Sequence, residues 1–509
     1  MGWSRAFLAA ISGPVRPRLR VSVEGFGANP DWNIAAWRLV SDPDLPGDPI
    51  LSREGWSFAG ARIDPWTWRG TSGVLSLRIM RPSLDLRRRI VRGQPVVVRV
   101  GFAGWPYRAF EVVGVYQVWA LTGQGGGFTL VLRDFLAALS SRLTTDTDKI
   151  ALFQDLVTTS ITTTAAYTAG SGLLVTSSAS GFRRQDDGSG TLKGCVRIDG
   201  EFFRTWTAKT ATDLTVSTSA YNLNTADASV GSGTGVTEVA FLDDHPLTAV
   251  RRILLSSGTT GFRGIYDTLP ESWGYALPAW IVDQEDLAAG VAASQPASGS
   301  ADWLIWAAEA QSDGRAWIEG WLCQGGYGLT VRQGAVTARP IPAPTSKFAQ
   351  VWRIDDADLI EVAAFDAFDP GGVEYATLNV AYGTASGGTA LSSTTAAVAT
   401  LPAGQAYTLD LTDYVSDNGS AIATEIRDRV AIWYQRAPER LRILCAGLRL
   451  AAPAPGDLAE LTSRRIGGRA DPAGYLRRRG LILEVSPNWI EGTTTIEILI
   501  APDDAQIGS

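Results

Sequence analysis

Two stretches far apart in the chain carry the same plan of strand, loop and strand. FEVVGVYQVWALTGQGGGFTLVLRD (Phe110–Asp134) and RRGLILEVSPNWIEGTTTIEILI (Arg478–Ile500) both place apolar alternation around a glycine-bearing loop. Alternation sends successive side chains to opposite faces of a strand, so it fixes which face is buried. In the first stretch, Gly123–Gly127 supplies the positive-φ positions that a hairpin turn needs. In the second, Ile496, Ile498 and Ile500 alternate with Thr495 and Glu497, and Leu499 breaks the pattern. Trp119 and Trp489 stand at comparable places before the loop, so the echo predicts a duplicated β domain.

The rest of the chain extends that expectation. RLRVSVEGF (Arg18–Phe26), GVLSLRIM (Gly73–Met80) and QPVVVRVGF (Gln94–Phe102) read as strands, the last dense enough to be covered on both sides. Asp134 is placed to cap a short helix, FLAALSSRL. The composition turns to Ser, Thr, Gly and Ala over 146–240, with strand-like GCVRIDGEFFRTW and ATDLTVST and too few large apolar residues for a major core. Helical periodicity follows in LTAVRRILLSSG after His245-Pro246, and in GRAWIEGWLCQGGY. LTVRQGAVTAR reads as a hairpin turning at Gln333-Gly334. RIDDADLIEVAAFD, YATLNVAYG, AYTLDLTDYV and RVAIWYQRA read as strands. The expected fold is mainly β with a smaller α/β part. The expected divisions are an arm at 1–17, β domains at 18–145 and 346–509, a small inserted β domain at 146–240, and a central α+β region at 241–345.

The 509 residues allow about three to five domains. Hydrophobic residues make up 45% and charged residues 19%, enough to build cores. A net charge of −7 argues against a general nucleic-acid binder. A single histidine removes every site that needs two. Three distant cysteines exclude the usual zinc spacing and a disulfide framework. No stretch reaches the roughly 18 apolar residues of a membrane span. The opening MGWSRAFLAAISGPVRPRLR imitates a signal peptide but has too short an apolar run; it reads as an amphipathic helix or arm, and synthesis in a reducing cytoplasm is expected. Eighteen tryptophans and an Arg-dominated basic set fit extensive protein interfaces.

Candidate chemistry resolves into structural roles. His245, after Asp243-Asp244 and before a proline, reads as a helix cap with a solvated ring. Cys195, Cys323 and Cys445 read as buried small hydrophobes. Asp355, Asp356, Asp358 and Glu361 lack calcium-loop spacing and read as a solvated strand start. Gly123–Gly127 runs strand to strand without a lysine, unlike a phosphate loop. The runs Arg87–Arg89 and Arg477–Arg479 read as ion pairs or edge protection beside strands. No catalytic, cofactor-binding or metal-binding residue is expected.

Taken together, these motifs resemble the tail-hub (baseplate-hub) proteins of long-tailed bacteriophages. QPVVVRVGF with FEVVGVYQVWALTGQGGGFTLVLRD looks like that family's first tube-like β domain, and IDGEFFRTW like strands of its small insert. LPESWGYALPAWIVDQEDL with WIEGWLCQGGYGLTVRQGAVTARPI looks like the central part, and YLRRRGLILEVSPNWIEGTTTIEILI like the closing hairpin of the second tube-like domain. The insert lacks the Arg-Gly…Gly-Thr…His pattern of such relatives. The resemblance implies a non-enzymatic homotrimer in the virion, pseudo-sixfold through two tube-like β-barrel or sandwich domains per chain. It would join tail-tube or distal tail proteins to tail-tip or fibre proteins and let phage DNA pass unbound. The Gly/Thr-rich 371–414 reads as a decorated or sugar-binding sandwich. The alternatives are a carbohydrate-binding receptor protein of the tail tip, built on β sandwiches with its tryptophans as sugar platforms, and a glycan hydrolase.

Overall fold

The computed structural model describes residues 3–12, 18–26, 35–64, 68–124, 127–140, 161–182, 185–186, 192–218, 221–222, 225–239, 242–243, 245–255, 275, 277–294, 304–305, 314–324, 326–346, 350–366, 375–384, 392–397, 405–416, 424, 427–429, 432–433, 439–467 and 473–501. They form mainly β structure in two compact units. One comprises Met1–Ala138, Tyr327–Glu374 and Ile432–Ser509; the other comprises Leu139–Gly326 and Tyr375–Ala431.

The first unit holds helix α1 (Arg5–Ser12) and a seven-stranded sheet. Its elements are β1 (Leu19–Gly25), β2 (Trp37–Val40), β3 (Ser57–Ala59), β4 (Val74–Met80), helix α2 (Leu84–Arg89), β5 (Pro95–Phe102), β6 (Glu111–Gln124) and β7 (Gly127–Arg133). The strand order is β2-β1-β5-β6-β7-β4-β3. The alternation seen in the sequence buries Leu75, Leu77 and Ile79 of β4 with Val96, Val98 and Val100 of β5 in one cluster. Val97, on the opposite face of β5, is buried too, as its dense pattern required. Ser83 caps α2 by accepting a 3.1 Å hydrogen bond from the Leu86 N–H.

A hairpin of β8 (Tyr327–Arg332) and β9 (Ala335–Pro340) turns at Gln333-Gly334, with φ of 50° and 86°. The second sheet follows, with β10 (Val351–Asp355), β11 (Leu359–Asp366), β12 (Glu439–Ala446), β13 (Leu458–Ser463), β14 (Tyr475–Asn488) and β15 (Thr493–Ile500). Its order is β10-β13-β14-β15-β12-β11. Leu441, Ile443, Ile482, Ile496, Ile498 and Ile500 fill its core.

The two sheets share one topology. Taken in chain order, β1, β3, β4, β5, β6 and β7 occupy the same places as β10, β11, β12, β13, β14 and β15. The long strands β6 and β14 each have 14 residues. Each carries one extra residue against its hairpin partner, Trp119 in β6 and Leu483 in β14, the ninth residue in both. A second irregularity falls at the start of both. Val113 is extra against β5, and β14 has an extra residue between Tyr475 and Arg478, where Arg477 takes φ 51°. The 3-10 turn Arg449–Ala451 stands between β12 and β13 where α2 stands between β4 and β5. The departure is β10, which runs parallel to β13, whereas β1 is antiparallel to β5. The echo of the two hairpins is therefore structural, but its tryptophans do not correspond: Trp119 is a bulge residue and Trp489 lies beyond the end of β14.

In the second unit, strands within 161–239 form a sheet with its own core of Trp206, Phe182, Ile198 and Leu214. This corrects the expectation of too few apolar residues there: the two hairpin strands Leu192–Ile198 and Phe202–Lys209 bring them together. Helices α3 (Pro246–Leu255), α4 (Gln284–Ser294) and α5 (Gly314–Gln324) follow. Tyr375–Thr384 pairs in parallel with Gln405–Ser416. Two strand readings fail. RIDDADLIEVAAFD is two strands joined by a turn at Asp356–Asp358, and 427–429 and 432–433 are helical. The helix expected after Asp134 is a 3-10 turn, Phe135–Ser140, and its expected continuation lies outside the described residues.

Candidate interaction surfaces

His245 does cap α3: its Nδ1 accepts a 3.2 Å hydrogen bond from the Leu247 N–H, and its carbonyl one of 2.9 Å from the Ala249 N–H. The ring is buried, not solvated. Burial, then the charge of Arg429, holds its pKa down at about 3. The neutral imidazole is thus a fixed acceptor at physiological pH. The three cysteines are buried, and burial, with a smaller contribution from Asp358, pushes the Cys445 thiol up to about 12. A thiol held there supplies little thiolate for chemistry.

Three of the four clustered acids are consumed by their own turn, and Glu361 is exposed on β11. Asp355 Oδ1 accepts from the Ala357 N–H at 2.9 Å, and Asp358 Oδ2 from the Asp355 N–H at 3.1 Å and from Arg449 at 2.6 Å. Asp356 accepts from the Ser463 hydroxyl and from the Arg464 N–H, which hold its carboxyl below the usual range. Among the described residues, no group of three or more His, Cys, Asp or Glu is placed to hold a metal. Gly123 and Gly127 belong to the β6–β7 hairpin, whose two turn residues lie outside the described residues.

The arginine runs differ from each other. Arg477 and Arg479 reach the buried carboxylate of Glu460 at 3.5 and 3.3 Å, and Arg353 reaches it from β10 at 3.5 Å. Arg87–Arg89 do not sit beside a strand but on α2, where Arg89 pairs with Asp85 at 3.0 Å and Arg87 lies 5.3 Å over the Phe128 ring. Around them, Leu84 and Val91 are 56% and 57% exposed, and Met80 is exposed as well. The guanidinium groups of Arg92 and Arg133 lie 4.4 and 3.9 Å from the ring centre of Trp119. Residues 74–134 carry nine arginines against three acids, in a chain whose net charge is −7. The sequence reading noted the Arg run and missed this wider imbalance, which was countable. It also missed a second apolar surface: Ile360, Val362 and Phe365 of β11 and, on β14, Leu476 at 73% exposure.

The two sheets of the first unit meet through a mixed contact. Gly60 N–H donates to Ser486 Oγ at 2.8 Å, and the backbone of Arg62 pairs with Glu484 of β14. Trp3 donates through Nε1 to the Val112 carbonyl at 3.0 Å and packs edge-on against Trp489 at 6.0 Å. Leu448, Ala451 and Ala452, around the 3-10 turn of the second sheet, join the core cluster of the first. A cavity of about 60 Å³ remains there, lined by Val113, Tyr116 and Asp134 on one side and Pro453, Val485 and Trp489 on the other. It is water-sized. Burial and the Asp134 charge push the Tyr116 hydroxyl far up, so it stays protonated.

No family model and no curated protein matches this chain. Solved structures similar to it include the 43 kDa tail protein of prophage MuSo2 from Shewanella oneidensis (10% identity, 94% of this chain, 98% of that chain, TM-score 0.36). The prophage tail protein gp18 from Listeria monocytogenes is another (8% identity, 94% of each chain, TM-score 0.40). A third is a type VI secretion component of E. coli, described as structurally similar to the T4 bacteriophage tail proteins gp27 and gp5 (8% identity, 96% of this chain, 76% of that chain, TM-score 0.32).

Proposed function

We propose that this chain is a non-catalytic structural hub of a phage tail, working as a homotrimeric ring between tail-tube and tail-tip or fibre proteins. One observation carries the reading: two sheets of one strand order, with bulges at the same ninth residue, lie in a single chain. Three copies supply six equivalent sheets, the number a sixfold tube presents, while any feature present once per chain repeats three times. The net charge of −7 suits a passage through which DNA moves without sticking. His245 as a neutral cap and Cys445 as a buried, protonated thiol suit a framework role.

Mass measurement of the purified protein, with imaging of the particle at this level, tests it. Three times the 54.3 kDa chain mass, with six sheet-sized features around the axis, is the expected result. Six equivalent chains, or one, would overturn the duplicated-domain trimer.

A further inference from the structure

The cavity where the first unit's two sheets meet is lined by groups that a dry seam would not leave. Pro453, Pro455 and Pro487 form part of its wall, and none of them has an N–H to donate. The tip of the β8–β9 hairpin lines it too. Gly334 lies so close to β6 that a Cβ there would stand 2.1 Å from the Val115 nitrogen, and this approach brings Gln333 to the cavity. The Gln333 Oε1 is buried and accepts no hydrogen bond. Tyr116, 6% exposed, lines the same cavity, and its hydroxyl is hydrogen-bonded to no described residue. Asp134 is the third polar group there; its carboxylate accepts from the Gly73 N–H and, at 3.1 Å, from the Leu136 N–H. Buried donors and acceptors are costly to leave unmet, and a fold keeps them only where something satisfies them. A volume of about 60 Å³ admits a few waters and nothing of the size of a metabolite.

We infer that this cavity is a hydration site: ordered water accepts from the Tyr116 hydroxyl and donates to Gln333 Oε1 and to the Asp134 carboxylate, tying the first sheet to the hairpin tip at the seam. Burial and the Asp134 charge keep the phenol protonated, so it is available as the donor. Water is the occupant rather than a metal cation because Asp134 is the only carboxylate in the described lining, and two N–H groups already share it. The second sheet shows that the fold itself does not require the polar pair. Aligned on the bulges at the ninth residue, Tyr116 corresponds to Gly480 and Asp134 to Ile500. The counterpart positions thus carry neither a hydroxyl nor a carboxylate, and the pair belongs to the seam. The site lies within the first unit of a single chain, so it stands apart from the ring reading.

High-resolution crystallography of the full-length protein tests the site directly, and a double-mutant cycle tests it in solution. The expected density is a water within hydrogen-bond distance of both Tyr116 Oη and Gln333 Oε1, or a chain of waters joining them. Tyr116→Phe removes one anchor and Gln333→Met the other, each with little change of shape. Gln333 Oε1 has no protein partner, so without shared water the two losses in the unfolding constant should multiply. With shared water, the double variant should lose less than that product, by about threefold or more. A cavity without density, or losses that multiply, overturns the hydration site. Exchanging sodium for choline in the buffer should leave the unfolding constant unchanged; a loss that disappears in Tyr116→Phe overturns water in favour of a small cation. If a variant does not fold, the wild-type density decides alone.

Discussion

His245 shows how one side chain ties stability to pH. Its pKa falls from 6.5 in the unfolded chain to about 3 in the fold, so the unfolded state binds the extra proton between those values. The stability this neutral ring allows is fully present above about pH 6.5 and declines as pH falls towards 3. In His245→Asn, which keeps a capping acceptor but does not titrate, that part of the decline should vanish; melting temperature against pH for both proteins checks it. Asp227 makes a second point. Its carboxylate accepts from Arg204 Nε at 2.8 Å, from Tyr167 Oη at 3.0 Å and from the Gly170 N–H at 2.7 Å, and the Arg204 side chain is fully buried. Asp227→Ala takes the carboxylate away from that buried guanidinium and should cost roughly 3–5 kcal/mol, read by denaturant unfolding. Neither residue's setting was legible in sequence. Asp-Asp-His before a proline signals a cap, but whether the ring is wet depends on what the rest of the fold packs over it.

Elements were legible where the turn chemistry was local. Gln333-Gly334 announced its hairpin because positive φ favours such residues. The turn inside RIDDADLIEVAAFD was invisible because it contains neither Gly nor Pro; carboxylates accepting from backbone N–H groups make it instead. The echo between hairpins was visible, whereas its alignment was not: a bulge is a pairing between strands, and Trp119 drew the eye to the wrong partner. Two substitutions test the elements. Gly334, at φ 86°, would place a Cβ 2.1 Å from the Val115 nitrogen, so Gly334→Ala should destabilise by at least about 1 kcal/mol through both strain and collision. Ile498 pairs with Leu441 and Ile482 and has no exposed surface, so Ile498→Ala should cost about 2–5 kcal/mol. Chemical denaturation reads both.

For the molecule as a whole, two units with separate cores predict two calorimetric transitions, and Asp227→Ala should lower only one of them. The candidate surfaces were the least legible part. An exposed leucine on α2 reads in sequence as a buried one. The interleaving of the units has a further consequence for synthesis. The first sheet is complete when the ribosome passes Arg133, yet the strands that close the unit, from Glu439 to Ile500, are made last. Through all of that time Val113 and Tyr116 await Pro453 and Trp489, and the nascent chain carries an open core. A chain broken off early never gains those partners, nor the face bearing Leu476. Synthesis thus checks its own length: only a chain read through to its closing hairpin can shut its core.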